Sequence, residues 1–413
     1  MDRAILHCDL NNFFASVACR DNPEIAALPV AIGGSTSDRH GIILAKNELA
    51  KKYKVQTGEP LWKAKSKCPN LIIVPPDYNR YLYFSQIAKE IYSEYSDQVE
   101  AFGMDECWID VSGSRSLFGK EDLIANEIRN RTKKELGLTI SVGVSFNKIF
   151  SKIGSDMKKP DAVTVIDSSH YKSIIWPMPV NTILGVGPAT KKRLSDIGIY
   201  TLGDLANASL PALKVKLGKV GENLWKYANG RDSSIVINEN EIVLPKSIGR
   251  SITCRYDLTN TTEIFNVILS LSEDVATELR AKHLSANGVT IHTRTADLET
   301  AELQIQLEKP TQLAFVLAKN GIDLFKKNYD FSKPLRSVGI RAINLTNEKL
   351  QYQLNLFDDY EKDIKTESIE RSMDLIRGKY GRDSIVRAST LRTESGPMPK
   401  YGLKACFNHI VNI

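Results

Sequence analysis

Short apolar and polar blocks alternate along the first 167 residues, a pattern typical of strands and amphipathic helices. Apolar runs that end at Gly, Pro or charged residues predict strands at 3–10, 28–33, 42–45, 71–76, 99–102, 107–111 and 139–145. Apolar residues at helical spacing predict helices that begin near Asn11 and cover 47–53, 78–95, 123–136 and 148–157. We expect strand 3–10, the 99–111 hairpin and strand 139–145 to form one sheet with helices on one face, an α+β layer.

The pattern changes after residue 167. Residues 168–235 are rich in Gly and short helical segments, and no strand is predicted there. A strand-rich module follows, with strands predicted at 247–257, 288–295, 301–307 and 335–345 and helices at 262–283 and 310–328. The remaining tail, 346–413, is polar and contains one helical segment near 361–380.

Length and composition narrow the class of protein. A chain of 413 residues is too long for one hydrophobic core, so about two to four domains are expected. Apolar residues make up 42% and charged residues 25%, as in an ordinary soluble globular protein. The 55 Lys and Arg outnumber the 49 Asp and Glu, and this charge of +6 permits a nucleic-acid partner without requiring one.

Cysteine spacing and hydropathy indicate the compartment. Six scattered cysteines without Cys-x-x-Cys spacing indicate free thiols in a reducing environment and argue against a zinc site. No apolar stretch is long enough to cross a membrane, and the N-terminus lacks the pattern of a signal peptide. We therefore expect a cytoplasmic protein with no membrane partner.

Two acidic sites, far apart in the sequence, carry the main chemical signal. Asp9 closes the apolar strand 3–10, and the pair Asp105-Glu106 lies between apolar residues of the 99–111 hairpin. The plain interpretation of that pair is a solvated turn. A carboxylate at the end of a buried strand, however, is costly unless a cation or a proton offsets its charge. Three converging carboxylates favour Mg²⁺ or Mn²⁺, and a pair of such ions suits phosphoryl transfer to a hydroxyl.

Basic and aromatic residues beside these acids suggest a site for a nucleoside triphosphate. The lysines are Lys148, Lys152, Lys158 and Lys159 after strand 139–145, and Lys46 and Lys51 in or beside helix 47–53. They are either solvated surface or point charges on triphosphate oxygens. Phe13 and Phe14 follow the first acid directly. Phe13 is expected in the core. If Asp9 binds a metal, we expect the ring of Phe14 close to the sugar, where it would exclude a 2′-hydroxyl and select deoxyribose.

Two further motifs suggest partners. Gly185-Val186-Gly187, with Lys191 and Lys192 behind it, predicts a helix-hairpin-helix that grips the DNA backbone without reading sequence. A weaker second copy runs from Gly218 to Gly221. In the tail, an apolar cluster either packs back on the body or docks as a peptide in a partner's groove. Its residues are Gln353, Leu354, Leu356 and Phe357.

Taken together and in this order, the motifs resemble those of the Y-family DNA polymerases, the DinB/UmuC translesion group. The resemblance covers about residues 3–345. Its motifs are Asp9-Leu10-Asn11-Asn12-Phe13-Phe14, Asp105-Glu106 with Trp108-Ile109-Asp110, Ser141-Val142-Gly143-Val144-Ser145, Asn147-Lys148, Ser151-Lys152-Ile153, Asp156-Met157 with Lys159-Pro160, and Gly185-Val186-Gly187. It implies an α+β multidomain right hand. The parts are a ferredoxin-like palm (1–10 and 78–167), small fingers (11–77), a helical helix-hairpin-helix thumb (168–235), a linker (236–245), an α+β little finger (246–345) and a tail (346–413).

The resemblance also implies roles for individual residues. The metal ligands would be Asp9, Asp105, Glu106 and the backbone carbonyl of Leu10; the nucleotide contacts Phe13, Phe14, Lys46, Lys51 and Lys159; and the DNA contacts Gly185, Gly187, Lys191, Lys192, Gly218, Gly221 and Arg250. One departure is clear, because the family's fingers helix has Tyr and Arg where this chain has Glu48 and Lys51. Lys51 keeps the positive charge of the Arg but cannot form its two parallel hydrogen bonds to a phosphate. Lys46 or Asn47 would have to supply the missing phosphate contact. The cluster 353–357 is similar to the clamp-binding peptides of bacterial polymerases.

These observations predict a template-directed, error-prone DNA polymerase that adds deoxynucleotides to a primer 3′-hydroxyl with two Mg²⁺, or Mn²⁺, in the site. Its expected partners are primer–template DNA, deoxynucleoside triphosphates and a sliding clamp, and we expect a monomer. A different class, a DNA-docking scaffold that polymerises poorly and recruits repair partners, stays open because of Glu48 and Lys51. A palm-fold nucleotide cyclase is disfavoured by the Gly-x-Gly hairpins.

Overall fold

A computed structural model describes residues 3–34, 41–238, 241, 244–329, 332–347 and 360–388. The chain divides into two compact units, Met1–Gly33 with Ile43–Ile242 and Gly34–Ile42 with Val243–Ile413. No helix in the described ranges is both long and apolar enough to cross a membrane.

Strands and short helices alternate in the first unit. They are, in chain order, β1 (Ile5–Leu10), α1 (Phe13–Asp21), α2 (Pro23–Ala26), β2 (Val30–Gly33), β3 (Ile43–Lys46), α3 (Glu48–Lys52), α4 (Leu61–Lys67), β4 (Ile72–Val74), α5 (Tyr78–Ser93), β5 (Val99–Ala101), β6 (Glu106–Asp110), α6 (Arg115–Phe118), α7 (Glu121–Arg131), β7 (Ile140–Ser145), α8 (Lys148–Met157), β8 (Val163–Ile166), α9 (Tyr171–Ile175), α10 (Pro188–Ser195), α11 (Leu202–Asn207), α12 (Leu210–Leu217) and α13 (Lys219–Ala228). A π-helical turn, Thr132–Leu136, extends α7, so the predicted helix 123–136 ends in an irregular segment.

The main sheet of this unit has five strands in the order β5-β6-β1-β7-β8. β1 pairs antiparallel with β6 and β7, β5 pairs antiparallel with β6, and β8 runs parallel to β7. With α5 between β1 and β5 and α7 between β6 and β7, the strands β7-β1-β6-β5 form the ferredoxin-like layer that was predicted. β8 was not predicted, because its four residues carry too little pattern to separate a strand from a loop.

Helices cover both faces of this sheet, so the expectation of helices on one face is wrong. Leu6 and Cys8 of β1 lie in one core cluster with Tyr81 of α5 and Ile124 of α7. His7, which points to the opposite face, contacts Ser155 of α8 through Nδ1 and Oγ at 2.8 Å. Because both faces are covered, every residue of β1 is buried.

A second, smaller sheet in this unit has the order β3-β2-β4, and α3 and α4 contribute to its core. Asn47 begins α3 and connects it to the sheet. Its side chain accepts a hydrogen bond from the amide of Ala50 at 2.9 Å and from the amide of Val30 at 3.1 Å. The position of α3 relative to β2 is therefore set by one amide side chain.

Helices α9 to α13 form a helical layer whose core also includes Phe150 of α8 and Ile166 of β8. Its only strand-like pairing among the described residues is a single bridge between Pro179 and Thr201, consistent with the prediction of short helices. Thr201 and Asp204 form a capping box at the start of α11, which satisfies free amides at that helix end.

The second unit is a four-stranded antiparallel sheet, β11-β10-β12-β9, whose core includes apolar residues of two long helices. Its elements are β9 (Ser247–Leu258), α14 (Thr261–Ala281), β10 (Leu284–Thr295), β11 (Thr300–Thr311), α15 (Ala314–Asn328), β12 (Leu335–Asn347) and α16 (Tyr360–Tyr380). β11 continues to Thr311, so the helix predicted at 310–328 begins later. The helix predicted near 361–380 is present as α16.

Ion pairs, rather than apolar residues, fasten α16 to this unit. Arg280 of α14 is 5% exposed and contacts Glu370 and Asp374 of α16, both at 2.6 Å. Arg387, beyond α16, contacts Glu370 at 2.7 Å and Glu273 of α14 at 2.6 Å. Buried charges require such partners, so these contacts fix how α16 lies on α14.

Candidate active site

The three predicted acidic residues lie together at one edge of the main sheet. In the register of β1 and β6, Asp9 is directly opposite Glu106. The amide of Leu10 donates to the carbonyl oxygen of Asp105 at 2.9 Å, which holds the loop before β6 against the end of β1. Residues separated by about a hundred positions therefore share one surface. Neighbouring residues of an antiparallel pair have Cβ atoms about 5 Å apart, so their carboxylates are close enough to share an ion.

Lysines partner two of these acids. Lys159 Nζ lies 2.6 Å from Asp9 Oδ2, and Lys152 Nζ lies 2.7 Å from Glu106 Oε2. Lys159 also contacts Asp156 at 2.7 Å. Among the residues that the structure describes, no three His, Cys, Asp or Glu side chains are gathered so as to hold a metal ion as they stand. The donors nevertheless fit a hard divalent cation, since all are oxygens and their three charges exceed those of the two lysines.

Burial and neighbouring charges move the pKa values of these carboxyl groups in different directions. Burial raises the pKa of Asp9 to about 7, against the lowering effect of Lys159. Burial and the charge of Glu106 raise the pKa of Asp105. Burial also acts to raise the pKa of Glu106, but His7 and Lys152 outweigh it and lower that pKa to about 2. Burial therefore disfavours the charged forms of Asp9 and Asp105, and a bound cation would offset that cost.

His7 and Lys152 were not assigned to the site from the sequence. His7 is buried, and its Nε2 lies 3.5 Å from Glu106 Oε2. A period-two argument would have found it, because residues 7 and 9 of a strand point to the same face. Lys152 was predicted to be either solvated surface or a triphosphate contact, and no local pattern shows that it pairs with Glu106 on β6.

The two phenylalanines have different environments. Phe13 is buried in the core, so its side chain is not available to a nucleotide. Phe14 is half-buried and stacks on Tyr81, with ring centroids 4.1 Å apart and planes 9° apart. The turn between Asp9 and these rings passes through Asn12, whose φ of 50° is left-handed. Asn is one of the residues that adopt this conformation at low cost.

Glu48 occupies the position that departs from the family pattern, and it has two partners. Its Oε1 accepts from Asn12 Nδ2 at 2.8 Å and from Lys51 Nζ at 2.7 Å. Lys46 Nζ donates to Thr57 Oγ1 at 3.1 Å. Glu48 therefore links α3 to the turn that follows Asp9, and Lys51 is partly neutralised where a free cation was expected.

In the helical layer, the predicted glycines serve different purposes. Gly185 has a φ of 91°, and Gly187 precedes the first residue of α10. Gly218, with a φ of 63°, joins α12 directly to α13. An ideal Cβ on Gly221 would lie 2.5 Å from the carbonyl oxygen of Leu213, so Gly221 is required by close packing of α12 on α13. Lys191 and Lys192 of α10 are exposed.

Two remaining predictions concern the second unit and the tail. Arg250 on β9 lies 2.6 Å from Glu278 of α14 and is largely buried, so its guanidinium is committed to an internal ion pair. The sequence could not show this pairing, because the two residues come together only when β9 packs beside α14. The residues Gln353, Leu354, Leu356 and Phe357 lie outside the described residues.

Comparison with known proteins places this geometry in a family. The model of the impB/mucB/samB family matches residues 8–156, and the model of that family's C-terminal domain matches residues 245–356. The thumb-domain model of DNA polymerase-iota matches residues 182–232.

Curated relatives match along almost the whole chain. DNA polymerase IV of Acetivibrio thermocellus is 47% identical over 393 residues, which are 95% of this chain and 98% of that protein. DNA polymerase IV 1 of Bacillus subtilis is 35% identical over 95% of this chain and 94% of its own length. Among solved structures, a Y-family DNA polymerase chimera of Dbh and Dpo4 is similar in fold, with a TM-score of 0.75, 23% identity, and coverage of 83% of this chain and 99% of that chain.

The fold and the curated relatives thus define a DNA polymerase, and the predicted right-hand fold is confirmed. The chain belongs to the impB/mucB/samB family, the Y-family polymerases of the DinB type. The predicted template-directed, translesion DNA polymerase activity is likewise confirmed. Membership of this family implies dependence on a divalent metal and binding of primer–template DNA and nucleotides.

Proposed function

We propose that Asp9, Asp105 and Glu106, with the backbone carbonyl of Leu10, hold two Mg²⁺ ions during nucleotide transfer. When bound, such ions polarise the α-phosphate and lower the pKa of the primer 3′-hydroxyl. The observation that carries this proposal is the register that sets Asp9 opposite Glu106. It brings donors from two distant segments to one sheet edge, which neither segment could achieve alone.

The other residues of the site would bind and select the nucleotide. Lys159, now on Asp9, is a point charge within reach of triphosphate oxygens. Phe14, backed by Tyr81, is a flat and fixed surface suited to excluding a ribose 2′-hydroxyl. Lys46 lies beside α3, where it can add a second cation. These roles come from the family resemblance together with the positions of the side chains.

DNA would be held chiefly through its phosphates. Gly185 and Gly187 let the backbone before α10 approach a phosphate, and Lys191 and Lys192 add positive charge on the same helix. Gly218 would act similarly between α12 and α13. Arg250 would reach DNA only after leaving Glu278, so we place it outside the main contact set.

The domain boundaries and partners stay proposals as well. We assign palm, fingers, thumb and little finger to the ranges predicted above, and the break between the two compact units supports a linker at 236–245. The sequence of 353–357 supports docking of a sliding clamp. A clamp-binding assay in which Leu356→Ala and Phe357→Ala bind as tightly as the unchanged chain would contradict that assignment. We also propose a cytoplasmic monomer, which sedimentation at several concentrations would check.

Primer extension tests the metal site directly. Asp105→Asn removes one charge while keeping the shape of the side chain, so extension should fall by more than about 100-fold, beyond the loss typical of an outer-sphere partner. Asp110→Asn is the matched control, since Asp110 lies at the far end of β6, the strand that follows Asp105, and accepts a hydrogen bond from Ser112 Oγ. The control should extend normally. Full extension by Asp105→Asn would overturn the proposed site.

A further inference from the structure

The fingers expose two aromatic side chains among lysines. Trp62 at the start of α4 is 73% exposed, and Tyr53 at the end of α3 is 50% exposed. On the other side of α4, Leu61 and Ala64 are buried in the core of the small sheet. The core contacts of α4 are therefore made by its other side, and Trp62 is not needed for them. Together with Lys52, Lys63 and Lys65, these two aromatic residues are called the fingers patch below.

The segment that carries the fingers patch is basic. Residues 41–77 contain seven lysines, no arginine and three acidic residues. Two of those acids are neutralised locally, Glu48 by Lys51 at 2.7 Å and Glu59 by Lys67 at 2.6 Å. Lys52, Lys63 and Lys65 form no ion pair within the described residues. A positive surface that carries flat rings suits an anionic ligand with exposed π faces.

Hydrogen bonds connect the two helices that carry the fingers patch to the turn beside the acidic residues. Glu48 of α3 contacts Asn12, three residues after Asp9, and Lys67 of α4 donates to the carbonyl of Lys54 at 2.9 Å. A chain of hydrogen bonds thus runs from the turn beside the acids through α3 to α4. A ligand bound on α4 would consequently contact a helix that hydrogen bonds connect to the active site.

We propose that the fingers patch binds the unpaired template strand that has not yet been copied, with Trp62 as the stacking platform. Duplex DNA hides its base faces and offers mainly phosphates, whereas unpaired bases can stack on an indole or phenol ring. The substrate of a template-directed polymerase supplies such a strand as its 5′ overhang. Lys52, Lys63 and Lys65 contact the phosphates of that strand. This inference rests on the polymerase activity and is independent of the proposed metal ligands.

Equilibrium binding without metal or nucleotide tests the proposal. Two labelled primer–templates are compared, one with a one-nucleotide overhang and one with an eight-nucleotide overhang of the same duplex. The unchanged protein should bind the longer overhang more tightly. Stacking of one base is worth about 1–3 kcal/mol, so Trp62→Ala should weaken binding of the long overhang at least about 5-fold and leave the short one unchanged. Trp62→Phe should restore part of the loss.

Matched variants separate stacking, charge and general damage. Leu117→Ala removes another apolar side chain of the same unit, 81% exposed on α6, and should change neither affinity. Lys63→Gln with Lys65→Gln should lower the salt dependence of binding to the long overhang by about 0.7 per lysine in the log–log slope. Equal losses for both overhangs, or no loss for Trp62→Ala, would overturn the proposal. If Trp62→Ala does not fold, the affinities of Trp62→Phe and of the double lysine variant for the two overhangs test the proposal in its place.

Discussion

Replacing Gly143 by Ala should push α8 away from β7 and thereby disturb the active site. An ideal Cβ on Gly143 would lie 1.8 Å from the carbonyl oxygen of Ser151 and 2.4 Å from the amide nitrogen of Ser155. Both are backbone atoms of α8, so no side-chain rotation relieves the clash, and α8 must move off β7 until the contacts exceed 3.0 Å. Overpacking usually costs about 1–3 kcal/mol, and a forced backbone shift places this change at or above about 3 kcal/mol.

The same shift would reach the acids, because α8 carries Lys152, which is 2.7 Å from Glu106. All four tryptophans of the chain, Trp62, Trp108, Trp176 and Trp225, belong to the first unit, so their fluorescence in urea follows that unit alone. Gly113→Ala is the control, since its Cβ would meet nothing within 4 Å, and its change should stay within about 0.5 kcal/mol. An unchanged urea midpoint for Gly143→Ala would refute the packing argument.

Three further changes test the site and the second unit. Phe14→Ala should raise ribonucleotide incorporation relative to deoxyribonucleotide incorporation at least about tenfold in single-nucleotide extension, and an unchanged ratio would reject the steric role. Glu48→Gln keeps an acceptor for Asn12 but frees the charge of Lys51, so the KM for nucleotide should fall by up to about fivefold with kcat unchanged; a higher KM would contradict this. Glu370→Gln removes one of the two carboxylates that pair with the buried Arg280, as well as a partner of Arg387, and should cost about 3–5 kcal/mol, seen as faster hydrogen exchange in α14 and α16. The more exposed Glu367→Gln should leave that exchange nearly unchanged, and equal exchange in both variants would disprove the claim.

The local pattern of apolar and polar residues was sufficient to predict most strands and helices of the palm. The apolar run that ends at Asp9 is β1, and the order of strands and helices around it produced the ferredoxin-like layer. The strand β8 and the second helix layer were missed. A single sequence shows that α8 is amphipathic, but not that its apolar side covers the face of the sheet opposite α5 and α7. That depends on the crossover between the parallel strands β7 and β8, which is a property of the assembled sheet.

Local pattern shows the burial of apolar residues better than it shows the partners of charged ones. Arg250, expected on DNA, pairs with Glu278, and α16, expected as part of a polar tail, is held to α14 by Arg280 and Glu370. In each case the partner is distant in sequence. A short stretch of sequence around a charged residue predicts that its side chain is solvated. Only a partner at hydrogen-bond distance offsets the free energy cost of burying the charge.

From the order of its residues alone, this protein reveals a polymerase with three acids, a flat ring beside the first of them and glycine turns for a DNA backbone, because these follow from residue type, spacing and family resemblance. Only the folded structure decides that Asp9 lies opposite Glu106 and that a lysine forms an ion pair with each of them. It also decides that Glu48 contacts both Lys51 and Asn12. Strand register and helix packing set those distances, and they arise from contacts between segments that no local pattern contains.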